Sequence, residues 1–132
     1  VYDQVAADEP RLLEWLFHHR ATVDGDEKVT RLTQNGINLT LTRLIPDEAE
    51  CWRVSDVKRT SAYTESNAHK HNRMSVEYRS FGPFHECEEI EVLWGIHVGE
   101  GDTPVYTVNQ DAFVLNVKIA LEAGEKTVAI KR

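Results

Sequence analysis

VYDQVAADEPRLLEWLFHHR, residues Val1 to Arg20, is the stretch whose reading decides the fold. Local rules pull it two ways. Asp8 is placed to cap a helix with Pro10 in its first turn, and Leu12, Trp15 and Leu16 would then form one apolar stripe. Read at period two, Leu13, Trp15 and Phe17 share one face of a strand, with Glu14 and His18 on the other. Local propensity slightly favours the helix.

Outward from there the chain alternates. Ala21 to Glu27 is a polar Asp/Gly stretch and reads as a connection. Lys28 to Gln34 and Ile37 to Ile45 flank Asn35-Gly36, the pair that supplies positive φ to a two-residue hairpin turn. That turn sets Gln34 opposite Ile37 and Leu32 opposite Leu39. Leu32, Ile37, Leu39 and Leu41 then face a core, while Thr33, Asn38, Thr40 and Thr42 take the other face. Pro46 ends the second strand. Cys51 to Val57 alternates again, with Trp52 and Val54 opposed to Arg53 and Ser55.

Met74 to Phe81 returns to period two, with Met74, Val76 and Tyr78 expected inward, until Gly82-Pro83 breaks it. Glu88 to Val98 places Ile90, Val92, Trp94, Ile96 and Val98 on one face and Glu89, Glu91 and His97 on the other. Val105 to Val108, preceded by Pro104, reads as a short edge strand. Phe113 to Leu121 sets five apolar residues against Asn116 and Lys118, and Glu122-Ala123-Gly124 turns the chain into Thr127 to Lys131. Roughly eight short alternating strands predict an all-β antiparallel β-sandwich. A parallel sheet would need helical crossovers, and no helical pattern follows residue 20.

At 132 residues the chain suits one domain, and its formal charge of −7 disfavours nucleic acid as a partner. The same charge repels a polyanionic sugar at long range. No apolar run is long enough to cross a bilayer. Cys51 and Cys87 read either as small buried hydrophobes or as a disulfide; no C-x-x-C pair points to a structural zinc.

Several residue groups invite a chemical reading. His69-Lys70-His71 has the spacing of two metal ligands on a strand, yet it lies in a polar stretch and Lys70 would repel a cation, so no metal or cofactor is expected. Glu89 and Glu91 share a strand face and could span a sugar as a hydrolase pair, a spacing that any solvated sheet face also shows. His85-Glu86 reads as solvated. Trp15, Trp52, Trp94, Tyr63, Tyr78 and Tyr106 could form a sugar-stacking platform, although Trp94 follows the apolar face of its strand and reads as core. Lys58 to Arg73, KRTSAYTESNAHKHNR, has no apolar period and reads as a long surface loop, or one lying against another part of a larger protein.

Two parts of the chain resemble the C-terminal β-sandwich region of heparinase II/III-like polysaccharide lyases. One is residues 1 to 18, which match an extended D-x-x-x-A-x-x-P-x-x-x-E-W-x-x-H run through Asp3, Ala7, Pro10, Glu14, Trp15 and His18. The other is the closing strand-turn-strand FVLNVKIALEAGEKTVAIK. The resemblance implies that Arg11 to His19 is a strand, against its helical stripe, because tertiary context overrides propensity. It also implies a C-terminal, non-catalytic piece of a periplasmic or extracellular lyase, packed against a catalytic domain that performs β-elimination on uronic-acid polysaccharides. The family's catalytic Tyr and His residues lie in a helical domain, and none of their motifs can be placed on this sequence. What can be expected is contact with the acidic polysaccharide through the cations and aromatics of the polar stretch, namely Arg59, Tyr63, His69, Lys70, His71 and Arg73, with Trp52 nearby. The alternative is an independent carbohydrate-binding module that works through exposed Trp and Tyr.

Overall fold

The structure, a computed structural model, describes residues 1–47, 52–62, 73–100 and 102–132, and within these the side chains of 52, 59–62 and 73–76 are not described. The architecture is all-β and antiparallel, as expected, with eleven strands among the described residues against about eight expected. They are β1 (Tyr2–Arg11), β2 (Trp15–His19), β3 (Thr22–Gly25), β4 (Val29–Gln34), β5 (Ile37–Ile45), β6 (Trp52–Ala62), β7 (Arg73–Pro83), β8 (Cys87–Val98), β9 (Val105–Gln110), β10 (Val114–Leu121) and β11 (Gly124–Lys131). A five-stranded sheet runs β1-β8-β5-β4-β3, and two three-stranded sheets run β2-β7-β6 and β11-β10-β9.

The five-stranded sheet packs on both faces, so the arrangement has three layers. On one face Leu32, Leu41, Val92 and Trp94 form a core with Phe81 of β7, joined by Trp15 and Phe17 of β2 and Val54 of β6. On the other, Leu93 packs with Leu115 and Val117 of β10, joined by Tyr106 and Val108 of β9. Successive residues of a strand point to opposite faces, so Val92 and Leu93 enter different cores, and both are nearly inaccessible to water. Phe17, Phe81 and Trp94 meet edge to face with centroids 4.9–5.6 Å apart.

The opening stretch contains no helix. It forms two strands, not one: β1 pairs with β8 in the central sheet, and after Leu12–Glu14 the chain turns a corner into β2, which pairs with β7 in a covering sheet. The corner is tight. A Cβ on Gly82 would lie 2.5 Å from the Leu13 carbonyl oxygen, so only glycine fits there. Trp15 Nε1 donates to Asp3 Oδ2 (3.0 Å), while Arg53 and Ser80 donate to Glu14 Oε1 (3.0 and 3.2 Å). Trp15 and Phe17 are half-buried and Leu16 and His18 exposed, the alternation expected of a strand.

The β4–β5 hairpin has the expected register, Gln34 opposite Ile37 and Leu32 opposite Leu39, and φ is +53° at Asn35 and +79° at Gly36. Ile37, Ile96 and Val98, expected to be buried, are exposed, because the covering strand β2 ends at His19 and leaves that end of the sheet open. Ala21 to Glu27 is not a plain connection: Thr22–Gly25 is a strand paired with β4, with Val23 against the core.

Among the described side chains of β7, Arg79 and Phe81 face inward, not Tyr78, whose ring stands half-buried against exposed His18; the side chains of Met74 and Val76, also expected inward, lie outside the described ones. Gly82-Pro83 does not end that strand; Pro83 still pairs with Trp52. The hairpin of β6 and β7 also continues to Ala62 opposite Arg73, so residues 58–62 and 73 of the expected loop are strand. β9 is an edge strand, as expected. Phe113, expected inward, is exposed just before β10, where Asp111 Oδ1 accepts from the backbone N–H of Phe113 and Val114 (2.8 Å each). Cys87 is half-buried; Cys51 lies outside the described residues.

Candidate functional site

A polar concavity lies where β5, β8 and β9 meet Arg132. It has a volume of about 530 Å³, within the range of small-molecule clefts. Its polar wall is Lys28, Asp47, Glu91, Tyr106, Gln110 and Arg132, and its apolar side is Leu44, Ile45, Pro46 and Val108. The local sequence explains each placement. Pro46 follows β5 and turns Asp47 toward Lys28, with which it forms an ion pair. On β9, Tyr106, Val108 and Gln110 alternate onto the inner face.

Glu91 is the hub. Tyr2 Oη donates to its Oε1 (2.7 Å), Arg132 Nε donates to the same oxygen (2.8 Å), and Arg132 Nη2 pairs with Oε2. This Arg132–carboxylate fork holds the Glu91 carboxyl below the usual carboxylate range and the Arg132 guanidinium above its own. The hydrogen bond to Glu91 raises the Tyr2 phenol. Arg132 also donates to the Asp111 carbonyl (2.8 Å), which fixes its side chain over the cleft. Burial raises the Tyr106 phenol and lowers the Lys28 ammonium. The Tyr106 ring rests on β8 at Gly95, where a Cβ would lie 2.5–2.9 Å from three ring carbons.

A second, shallower concavity of about 480 Å³ is bordered by His18, His19, Ile37, Leu39 and Val98. His18 and His19 point to opposite sides of β2, as expected; His19 Nδ1 lies 3.2 Å from the Ala21 carbonyl oxygen. Among the described residues, no group of three His, Cys, Asp or Glu is placed to hold a metal ion.

The residues expected to contact substrate fall largely outside the described set. Tyr63, His69, Lys70 and His71 lie outside it altogether, and Arg59, Arg73 and Trp52 are described only as backbone positions of β6 and β7. Glu89 and Glu91, disfavoured as a hydrolase pair because any solvated sheet face shows their spacing, are engaged otherwise: Gln4 donates to Glu89 (3.2 Å), and Glu91 is held ionised by Arg132, the reverse of what a general acid requires. Of the six aromatics proposed as a sugar platform, Trp94 is buried, Trp15, Tyr78 and Tyr106 are half-buried, and Trp52 and Tyr63 are not described. His85 and Glu86 are exposed, as expected. No pattern in the sequence singled out Lys28, Asp47, Gln110 or Arg132. Compared with known proteins, the chain matches no family model, and no curated protein matches it.

Proposed function

We propose that the chain is a non-catalytic β-layered domain of a polysaccharide lyase resembling the heparinase II/III group, supporting a catalytic domain that eliminates across uronic-acid linkages. The observation that carries this reading is the meeting of the two stretches on which the resemblance rests. Tyr2, from the opening run, and Arg132, directly after the closing hairpin, donate to one carboxylate oxygen of Glu91. The residues of the opening run thus serve a single structural unit: Asp3 accepts from Trp15, Glu14 accepts from Arg53 and Ser80, and His18 stands against Tyr78. Asp3, Glu14 and Trp15 brace a corner between two sheets, which suits a supporting domain. The exposed apolar end at Ile37, Ile96 and Val98 offers surface for the catalytic neighbour to cover.

The test compares the natural protein containing this segment, together with whatever precedes or follows it, with residues 1–132 alone on a panel of uronic-acid polysaccharides. Release of the unsaturated uronate by the former and not by the latter is expected. Turnover by residues 1–132 alone overturns the non-catalytic assignment, and absence of elimination by the natural protein across the panel overturns the lyase assignment.

A further inference from the structure

We propose that the cleft between β5, β8 and β9 binds a neutral pyranose ring, with Tyr106 and Gln110 as its principal contacts. The inference rests on the cleft alone and not on the lyase reading. Three features converge on it. The first is charge: among the described residues the wall carries two cations, Lys28 and Arg132, and two anions, Asp47 and Glu91, already matched as ion pairs. An anionic ligand entering here would meet both carboxylates and would have to displace one to reach a cation. A hydroxyl both donates and accepts, so a neutral sugar can join such a network without breaking either pair.

The second is the mixture of surfaces. Ile45, Pro46 and Val108 lie beside the polar wall, and Tyr106 adds an aromatic ring whose hydroxyl end is held at Gly95. A pyranose has the same division, with C–H groups on its faces and hydroxyls around its rim. The third is pre-organisation. Glu91 and Arg132 are fixed in a two-bond fork and Arg132 is tied again to the Asp111 carbonyl, so their free lone pairs and N–H groups are already oriented when a ligand arrives. Gln110, exposed on the inner side of the edge strand β9, presents an amide that can donate and accept at the mouth.

The test titrates the isotope-labelled full chain with cellotetraose, maltotetraose and mannotetraose, and separately with tetragalacturonic acid, following backbone amide shifts. At least one neutral tetrasaccharide should saturate in the millimolar range or below and move amides of Leu44, Ile45, Asp47, Tyr106, Gln110 and Arg132. Gln110→Ala, at an exposed edge position, should weaken that binding roughly three- to tenfold, as expected for loss of a hydrogen bond. Tyr106→Phe should do the same while the spectrum keeps its dispersion. The proposal is overturned if no neutral tetrasaccharide binds, if the shifts map to the His18–Val98 side instead, if both variants bind as the parent does, or if tetragalacturonic acid binds more tightly. None of these results bears on whether the natural protein eliminates uronates, so the two readings fail separately.

Discussion

Arg79 shows how a charged side chain can hold two sheets together. It is almost fully buried on β7, yet its guanidinium makes four hydrogen bonds: two to Asp56 (2.8 and 3.1 Å), one to Thr30 Oγ1 (2.7 Å) and one to the Gly25 carbonyl (3.2 Å). The first partner lies on β6 beside it, and the other two lie on β3 and β4 of the central sheet. Arg79→Ala would leave the Thr30 hydroxyl, itself buried, and the Gly25 carbonyl without this donor. A loss of about 2–4 kcal/mol in urea unfolding is expected. Asp56→Asn should cost about 1 kcal/mol or less, since that carboxylate is more than half exposed and screened by water. Hydrogen bonding to Arg79 lowers the Asp56 acid below its ordinary value near 3.8. A lowered acid stabilises the fold above its unfolded pKa, and that contribution is lost as the pH falls through the lower folded value. The stability of the parent should therefore drop more steeply below about pH 4 than that of Asp56→Asn. Equal slopes for the two proteins would remove Asp56 from the acid response.

Among the elements, the β4–β5 hairpin was the most legible, because turn chemistry and alternation agree there. Asn35-Gly36 accepts positive φ at both positions, and the pattern on either side matches the register that such a turn imposes. Gly36→Ala meets no atom within 4 Å, so its cost is purely that of placing a Cβ in left-handed backbone, about 1 kcal/mol. Thermal unfolding should show that modest loss with the register unchanged; a loss of several kcal/mol would mean that the turn makes contacts beyond its backbone. Elsewhere local rules fail for identifiable reasons. β3 has only Val23 to signal its buried side, so four residues rich in Asp and Gly read as a loop. The sequence points Tyr78 inward on β7 because a buried, hydrogen-bonded Arg79 looks like a solvated one there. The opening stretch reads as one run, but its halves belong to different sheets, and the corner depends on Gly82, some seventy residues away. The cleft was invisible for the same reason: Lys28, Glu91 and Arg132 meet only through pairing between distant strands.

At the scale of the whole molecule, the antiparallel sheets stack as a sandwich, as expected, with a third layer added, and the trace of that layer is present in one short run. Val92-Leu93-Trp94 is apolar without alternation, which a strand with one wet face does not tolerate. All three residues are buried, Val92 and Trp94 toward β2-β7-β6 and Leu93 toward β11-β10-β9. β8 is therefore common to both cores, so their stabilities should be coupled. Val92→Ala and Leu93→Ala remove apolar atoms from neighbouring positions that serve opposite faces. Leu93→Ala should cost about 2–5 kcal/mol and Val92→Ala somewhat less, each leaving a cavity that the packed strands cannot fully close. If β8 couples the layers, each variant unfolds in one transition, and amide exchange accelerates in β7 and β10 alike. If the layers are independent, Leu93→Ala speeds exchange in β9, β10 and β11 while β7 keeps the protection of the parent. Coupling is the expected outcome, because neither three-stranded sheet has an apolar surface of its own to retreat to once β8 is lost: Leu115 and Val117 pack on Leu93, and Phe81 packs on Trp94.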